Sequence, residues 1–209
     1  MIVFIHATPI SLGATESALR RRANVPPIRH ALLPGLVDPN AATFEPDEAA
    51  FAKLRDAIAS ELEVGVDRVI LSCSVFNGFA PRLERELGVA VERSDDAGTW
   101  AALGCGARVG LAVSYAPSYP VVEAHIREVA ASLGRDVTIT PLLSENAFAY
   151  ADDAERYAAA LSEAARRAGN VDCVFLAQFS MDPFAGHAAA GTEAPVISAL
   201  EACLLRLAP

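Results

Sequence analysis

Two stretches of the chain carry residues able to do acid–base or nucleophilic chemistry. Residues 68–78 (RVILSCSVFNG) form a short apolar run that ends at Cys73 and gives way to small polar residues and a glycine. Residues 171–181 (VDCVFLAQFSM) repeat that pattern in the second half, with Gln178 where a second cysteine could stand. A Val/Ile/Leu run of this kind reads as a buried parallel strand, and open α/β sheets place their chemistry at the carboxyl ends of such strands. A cysteine at that point, leading into a helix, is placed for a lowered pKa and for reactivity. The backbone N–H groups around Cys73, Ser74 and Val75 would then hold a negative charge.

Other polar residues stand at equivalent strand ends. His6 closes the first apolar run beside Thr8 and Pro9, placed to carry positive charge toward a thiolate or a carboxylate, or to act as an acid/base itself. Ser74, Ser114 and Ser118 read as turn formers and helix caps, and a capped helix start is also an anion site. Tyr115 reads equally as a donor or as a cleft wall. Gln178, in a mostly apolar strand end, must find partners or face a cavity. His125 falls within an amphipathic helix and reads as structural, His187 lies in the Gly/Ala-rich stretch 181–194, and His30 has no assigned role.

Elements positioning these residues follow from the pattern. Apolar runs at 2–5, 28–33, 68–72, 89–91, 109–113, 137–142 and 171–177 read as strands, each separated from the next by a helical or loop segment. Pro46, Asp47 and Glu48 open a helix whose Phe51, Leu54, Ile58 and Leu62 share one face. Ser94, Asp95 and Asp96 start another, residues 181–194 read as irregular, and 195–207 as a final amphipathic helix. Strands alternating with helices predict an α/β fold with largely parallel sheets. The two halves repeat one order of elements, which predicts two similar Rossmann-like lobes across a cleft. The expected division is 1–96 plus 186–209 for the first lobe and 97–185 for the second.

Composition narrows the function classes. With 209 residues, 53% of them hydrophobic, the chain is long enough for a sizeable core. A net charge of −9 argues against nucleic acid as a partner, and the one short basic run, Arg20 to Arg22, falls where a helix end welcomes cations. No apolar run approaches the ~20 residues of a membrane span. Four dispersed cysteines without a CxxC, and no leader before the first strand, give the expectation of a soluble, cytoplasmic protein without disulfides or structural zinc. The histidines are scattered, with no two at metal-ligand spacing, and no GxGxxG or Walker sequence supports a nucleotide.

Four pieces in order, IVFIHATP (2–9), RVILSCSVFNG (68–78), DDAGTWAALGCGARVGLAVSYAPS (95–118) and VDCVFLAQFSM (171–181), resemble the aspartate/glutamate racemase superfamily over nearly the whole chain. That family includes amino-acid and hydantoin racemases, maleate isomerase and arylmalonate decarboxylase. The resemblance implies a cofactor-independent racemase or isomerase, a small carboxylate held between the lobes, and a homodimer. It assigns Cys73 as the first of two catalytic cysteines, with Ser74 and Asn77 as oxyanion or carboxylate contacts. Thr8 belongs to the opening loop, and Ser114, Tyr115 and Ser118 to the carboxylate loop of the second lobe. The departure is Gln178 in the second cysteine's place, because an amide exchanges no proton near neutral pH. One thiol leaves racemisation with another acid/base, isomerisation through a thiol adduct, or one-face protonation of an enediolate after decarboxylation. A carboxylate-binding protein without turnover is the competing class.

Overall fold

A computed structural model describes residues 1–207 apart from 39, 42 and 144–146. Strand β1 (Ile2–His6) is five consecutive buried residues, the signature of a strand covered on both faces. It pairs in parallel with β2 (Ile28–Leu32) on one side and β3 (Arg68–Leu71) on the other, and β4 (Ala90–Glu92) completes a four-stranded sheet ordered β2-β1-β3-β4. The second half repeats this with β5 (Arg108–Val113), β6 (Thr138–Leu143), β7 (Cys173–Leu176) and β8 (Val196–Ser198), ordered β6-β5-β7-β8. The α/β fold with two parallel sheets is as the sequence predicts.

Helices are set by their caps. Thr8 Oγ1 accepts from the Ser11 N–H and Pro9 occupies the first turn, which fixes the start of α1 (Pro9–Arg20) at the end of β1. Asp47 caps α2 (Glu48–Glu63) through the Ala50 N–H, and Asp153 caps α6 (Ala154–Arg166) through the Arg156 N–H. Gly88, in the left-handed region at φ 66°, ends α3 (Ala80–Leu87) and turns the chain into β4. The remaining helices are α4 (Asp96–Cys105), α5 (Tyr119–Ser132), α7 (Ala185–Ala189) and α8 (Ala199–Leu207). Among the described residues no helix is long and apolar enough to cross a membrane.

The final segment departs from the expectation. Residues 195–207 are not one helix, because Val196–Ser198 pair with Val174–Leu176 before α8 begins. The tail from 186, expected with the first lobe, therefore adds its strand to the second sheet; residues 208 and 209 lie outside those described. Residues 181–194 are also more regular than their composition suggests, taking in the end of a 3-10 turn (Phe179–Phe184) and all of α7.

Alternation along the strands sends Val3 and Ile5 into one core cluster and Ile2 and Phe4 into another. Both clusters draw on both lobes: Leu71 and Phe51 share one with Leu176 and Tyr157, while Phe4 shares the other with Phe175 and Phe179. The Phe4 and Phe179 rings lie 6.3 Å apart. A polar joint closes the chain's crossing from β4 to α4. Asn77 Nδ2 donates to Ser94 Oγ (3.1 Å) and Asp95 Oδ1 (2.7 Å), and its Oδ1 accepts the Ser94 N–H (3.1 Å). His125 of α5 pairs with Asp95 at 3.2 Å and Asp96 at 3.1 Å. Burial alone would lower the His125 pKa, but the two carboxylates raise it to about 9.

Candidate functional site

Cys73 lies two residues past the end of β3. The Ser72 N–H donates to the Ile5 carbonyl (3.0 Å) and prolongs the β1–β3 pairing by one step, so Cys73 emerges where the strands stop. Cys73 is extended at φ −114°, ψ 110° and caps a 3-10 turn (Ser74–Phe79) whose Phe76 N–H donates to the Cys73 carbonyl at 3.1 Å. Burial pushes the Cys73 thiol up to about 12, against a weaker downward pull from the Val75 N–H. This reverses the lowered pKa predicted for a cysteine at a turn start. One N–H does not offset the loss of water around the sulfur.

Gln178 occupies the matching place in the second lobe. The Ala177 N–H donates to the Ala112 carbonyl (3.2 Å), and Gln178 precedes the turn Phe179–Phe184. Its side chain is fully engaged. Oε1 accepts from the Ser114 N–H (2.6 Å), the Ser114 hydroxyl (2.9 Å) and the Tyr115 N–H (3.1 Å). Nε2 reaches Ser118 Oγ in its own lobe and Ser74 Oγ across the cleft, both at 3.4 Å. The Tyr157 hydroxyl donates to Ser114 Oγ at 2.7 Å and fixes that loop from behind.

Between these two walls lies a narrow cleft of about 20 Å³. Thr8, Ser72, Cys73 and Ser74 line it from the first lobe, facing Tyr115 and Gln178 of the second. The Tyr115 ring packs against Phe148 with centroids 5.4 Å apart. Its hydroxyl is buried without a hydrogen-bond partner among the described residues, and burial raises its pKa to about 12. A buried orphan hydroxyl at the wall of a cavity is a donor awaiting an acceptor.

Of the residues singled out from sequence, Thr8, Cys73, Ser74, Tyr115 and Gln178 meet at the cleft, and Ser114 and Ser118 stand behind Gln178. Two do not reach it. Asn77 faces the Ser94–Asp95 joint, because every one of its amide atoms is already bonded there. His6 lies one layer deeper, fully buried against Ser72 and Ser11, and burial together with His30 lowers its pKa to about 3. It cannot carry positive charge toward the thiol near neutral pH. His187 of α7 lies against Phe184 with the rings tilted and their centroids 6.3 Å apart, and it does not line the cleft. Ser72, Ser11 and Phe148 line the site without having been singled out. Ser72 and Ser11 each sit within three residues of a named residue; Phe148 arrives on a turn (Ala147–Tyr150) that no local pattern marks.

No protein-family model matches the chain. No curated protein matches it in sequence. Solved structures do match it in fold. Glutamate racemase from Campylobacter jejuni subsp. jejuni aligns with a TM-score of 0.74 at 13% identity, over 99% of this chain and 84% of that one. Allantoin racemase from Pseudomonas fluorescens aligns at 0.68 and 16% identity, over 99% and 89%. Maleate isomerase from Pseudomonas putida S16, solved with maleate, aligns at 0.67 and 20% identity, over 96% and 87%.

Proposed function

Because the chain has the fold of the aspartate/glutamate racemase superfamily, we propose that it is a cofactor-independent enzyme acting on a small carboxylate between its lobes. Cys73 is the cysteine that lines the cleft and supplies a proton to one face of the substrate. The observation that carries this reading is the opposition of Cys73 to Gln178 in one cleft. The buried thiol keeps its proton at neutral pH and is a weak acid, so it delivers that proton only to a strongly basic carbon such as a carbanion or enediolate. The amide opposite has no proton to exchange. Protonation from one face suits an isomerase, or a lyase that leaves an enediolate after bond cleavage; symmetrical two-thiol racemisation has no second thiol to use.

Gln178 also changes how substrate oxygens are held. Its Oε1 already takes the Ser114 and Tyr115 N–H groups. A substrate oxygen on that side meets the Tyr115 hydroxyl, while Thr8 and Ser74 line the first lobe. The Gln178 Nε2–H groups, held at 3.4 Å by Ser74 and Ser118, join it only by exchanging one of those partners. Donors aimed at developing oxyanion charge contribute about 10²–10³ in rate each.

Incubation in D2O with a panel of α-substituted carboxylates, malonates and maleate tests this, with mass and NMR readout of label at the α-carbon. Deuterium should enter from one face and vanish in Cys73→Ser, whereas turnover at the wild-type rate in that variant overturns the reading. Ligand-induced stabilisation without label in the wild type would mark a carboxylate-binding protein, the reading favoured by the loss of one acid/base partner at Gln178.

A further inference from the structure

Two histidines of the first sheet lie outside the chemistry described so far, and they are joined to it. His30 sits on the edge strand β2, half-buried, in register with Phe4. Its Nδ1 is 2.9 Å from Nε2 of His6. The other His6 nitrogen, Nδ1, is 2.8 Å from Ser72 Oγ and 3.5 Å from Ser11 Oγ. Ser72 and Ser11 line the cleft with Cys73. An unbroken chain of groups, each able both to donate and to accept, thus runs from the sheet edge to the cleft wall.

The surroundings suit conduction better than storage of charge. The Phe4 ring stacks on both imidazoles, at 6.1 Å from His6 and 5.8 Å from His30, and keeps water off their faces. Burial lowers both pKa values, so both rings are neutral near pH 7 and each holds one N–H and one free lone pair. For simple packing, an aromatic or aliphatic side chain beside Phe4 would serve without the cost of burying two imidazoles.

We propose that His30, His6, Ser72 and Ser11 form a proton relay between solvent at the sheet edge and the cleft, restoring the proton that Cys73 delivers. The proposal rests on the reading of Cys73 as proton donor. In one passage a proton enters at His30 Nε2, His30 passes its Nδ1 proton to His6 Nε2, and His6 passes its Nδ1 proton to Ser72 Oγ. Ser72, whose hydroxyl otherwise donates to the Ile5 carbonyl at 3.0 Å, turns and releases its own proton into the cleft, directly or through Ser11 at 3.5 Å. One proton enters and one leaves, both rings exchange tautomers, and reorientation of the rings and hydroxyl resets the chain.

The test uses the carboxylate labelled in D2O by the wild-type protein. His6→Gln keeps a donor and an acceptor but has no second tautomer; His30→Ala opens the outer end to solvent. The relay predicts a fall in kcat of about tenfold or more in both variants with KM nearly unchanged. Added imidazole should restore His30→Ala and leave His6→Gln slow. Wild-type kcat in His6→Gln, or loss in His30→Ala that imidazole does not repair, overturns the relay while Cys73→Ser remains inactive. Turnover at the wild-type rate in Cys73→Ser, or a panel in which nothing is labelled, removes the donor reading and the relay with it. Should His6→Gln fail to fold, the imidazole response of His30→Ala decides alone.

Discussion

Cys73 and Gln178 are structural equivalents. Each stands two residues beyond a strand residue, Leu71 or Leu176, that pairs with the first strand of its sheet at Ile5 or Ala112, and each opens a 3-10 turn. The protein thus presents one turn twice across its cleft, with a thiol in one copy and an amide in the other.

The thiol should be slow to alkylate. With a pKa pushed to about 12 by burial, Cys73 is almost all thiol at pH 8. Iodoacetamide followed by peptide mass spectrometry should label the exposed Cys105 well before it, and the Cys73 rate should still be climbing at pH 10. A Cys73 rate that levels off below pH 9 contradicts this.

Charge at Gln178 should hurt ligand binding more than folding. Gln178→Glu keeps an acceptor for the Ser114 and Tyr115 N–H groups but removes the Nε2 donor and sets a carboxylate in the cleft. Titration calorimetry with malonate should show affinity falling about tenfold or more, since like charges at such range disfavour each other. Unchanged affinity would place the carboxylate elsewhere.

Asn77 should matter for stability. Asn77→Ala strips the Nδ2 donor from Asp95, a fully buried carboxylate whose other oxygen has no partner among the described residues. The loss should be about 2–4 kcal/mol by urea unfolding, as for other buried charges left short of a donor. An effect near zero would show that the joint opens to water.

Stability should fall on both sides of neutrality. The His125 pKa is raised to about 9 in the folded state, so its contribution is complete below the ordinary 6.5 and is lost as pH rises through about 9. The His6 pKa is lowered to about 3, so its contribution is complete above 6.5 and is lost as pH falls toward 3. Chemical unfolding from pH 4 to 10 should give a dome, with His125→Gln flattening the alkaline limb and His6→Gln the acid one.

The period of the apolar residues made most of the strands and the lobe repeat legible in advance, and strand ends converge in any parallel sheet. Which of the residues there face the cleft came largely from the resemblance to the racemase superfamily. What stayed hidden depended on distance rather than on pattern. Asn77 reads as a cleft residue from its place after Cys73, yet the direction of its amide is set by Ser94 and Asp95 on a later segment. The Cys73 thiol was expected to be acidic from its turn, but burial, which a local pattern does not give, outweighs the Val75 N–H. The strand Val196–Ser198 is too short to show its own period, and it forms because β7 offers an open edge.

Shared interior between the lobes has a consequence for the chain as a divisible object. With Phe4 packed near Phe179, and Leu71 buried in the same cluster as Leu176, each half leaves an uncovered oily face when the other is missing. A chain cut at the joint near residue 94 should therefore yield two fragments that aggregate singly and recover the native molecule only when produced together. The repeat is a symmetry of form, not a pair of autonomous modules.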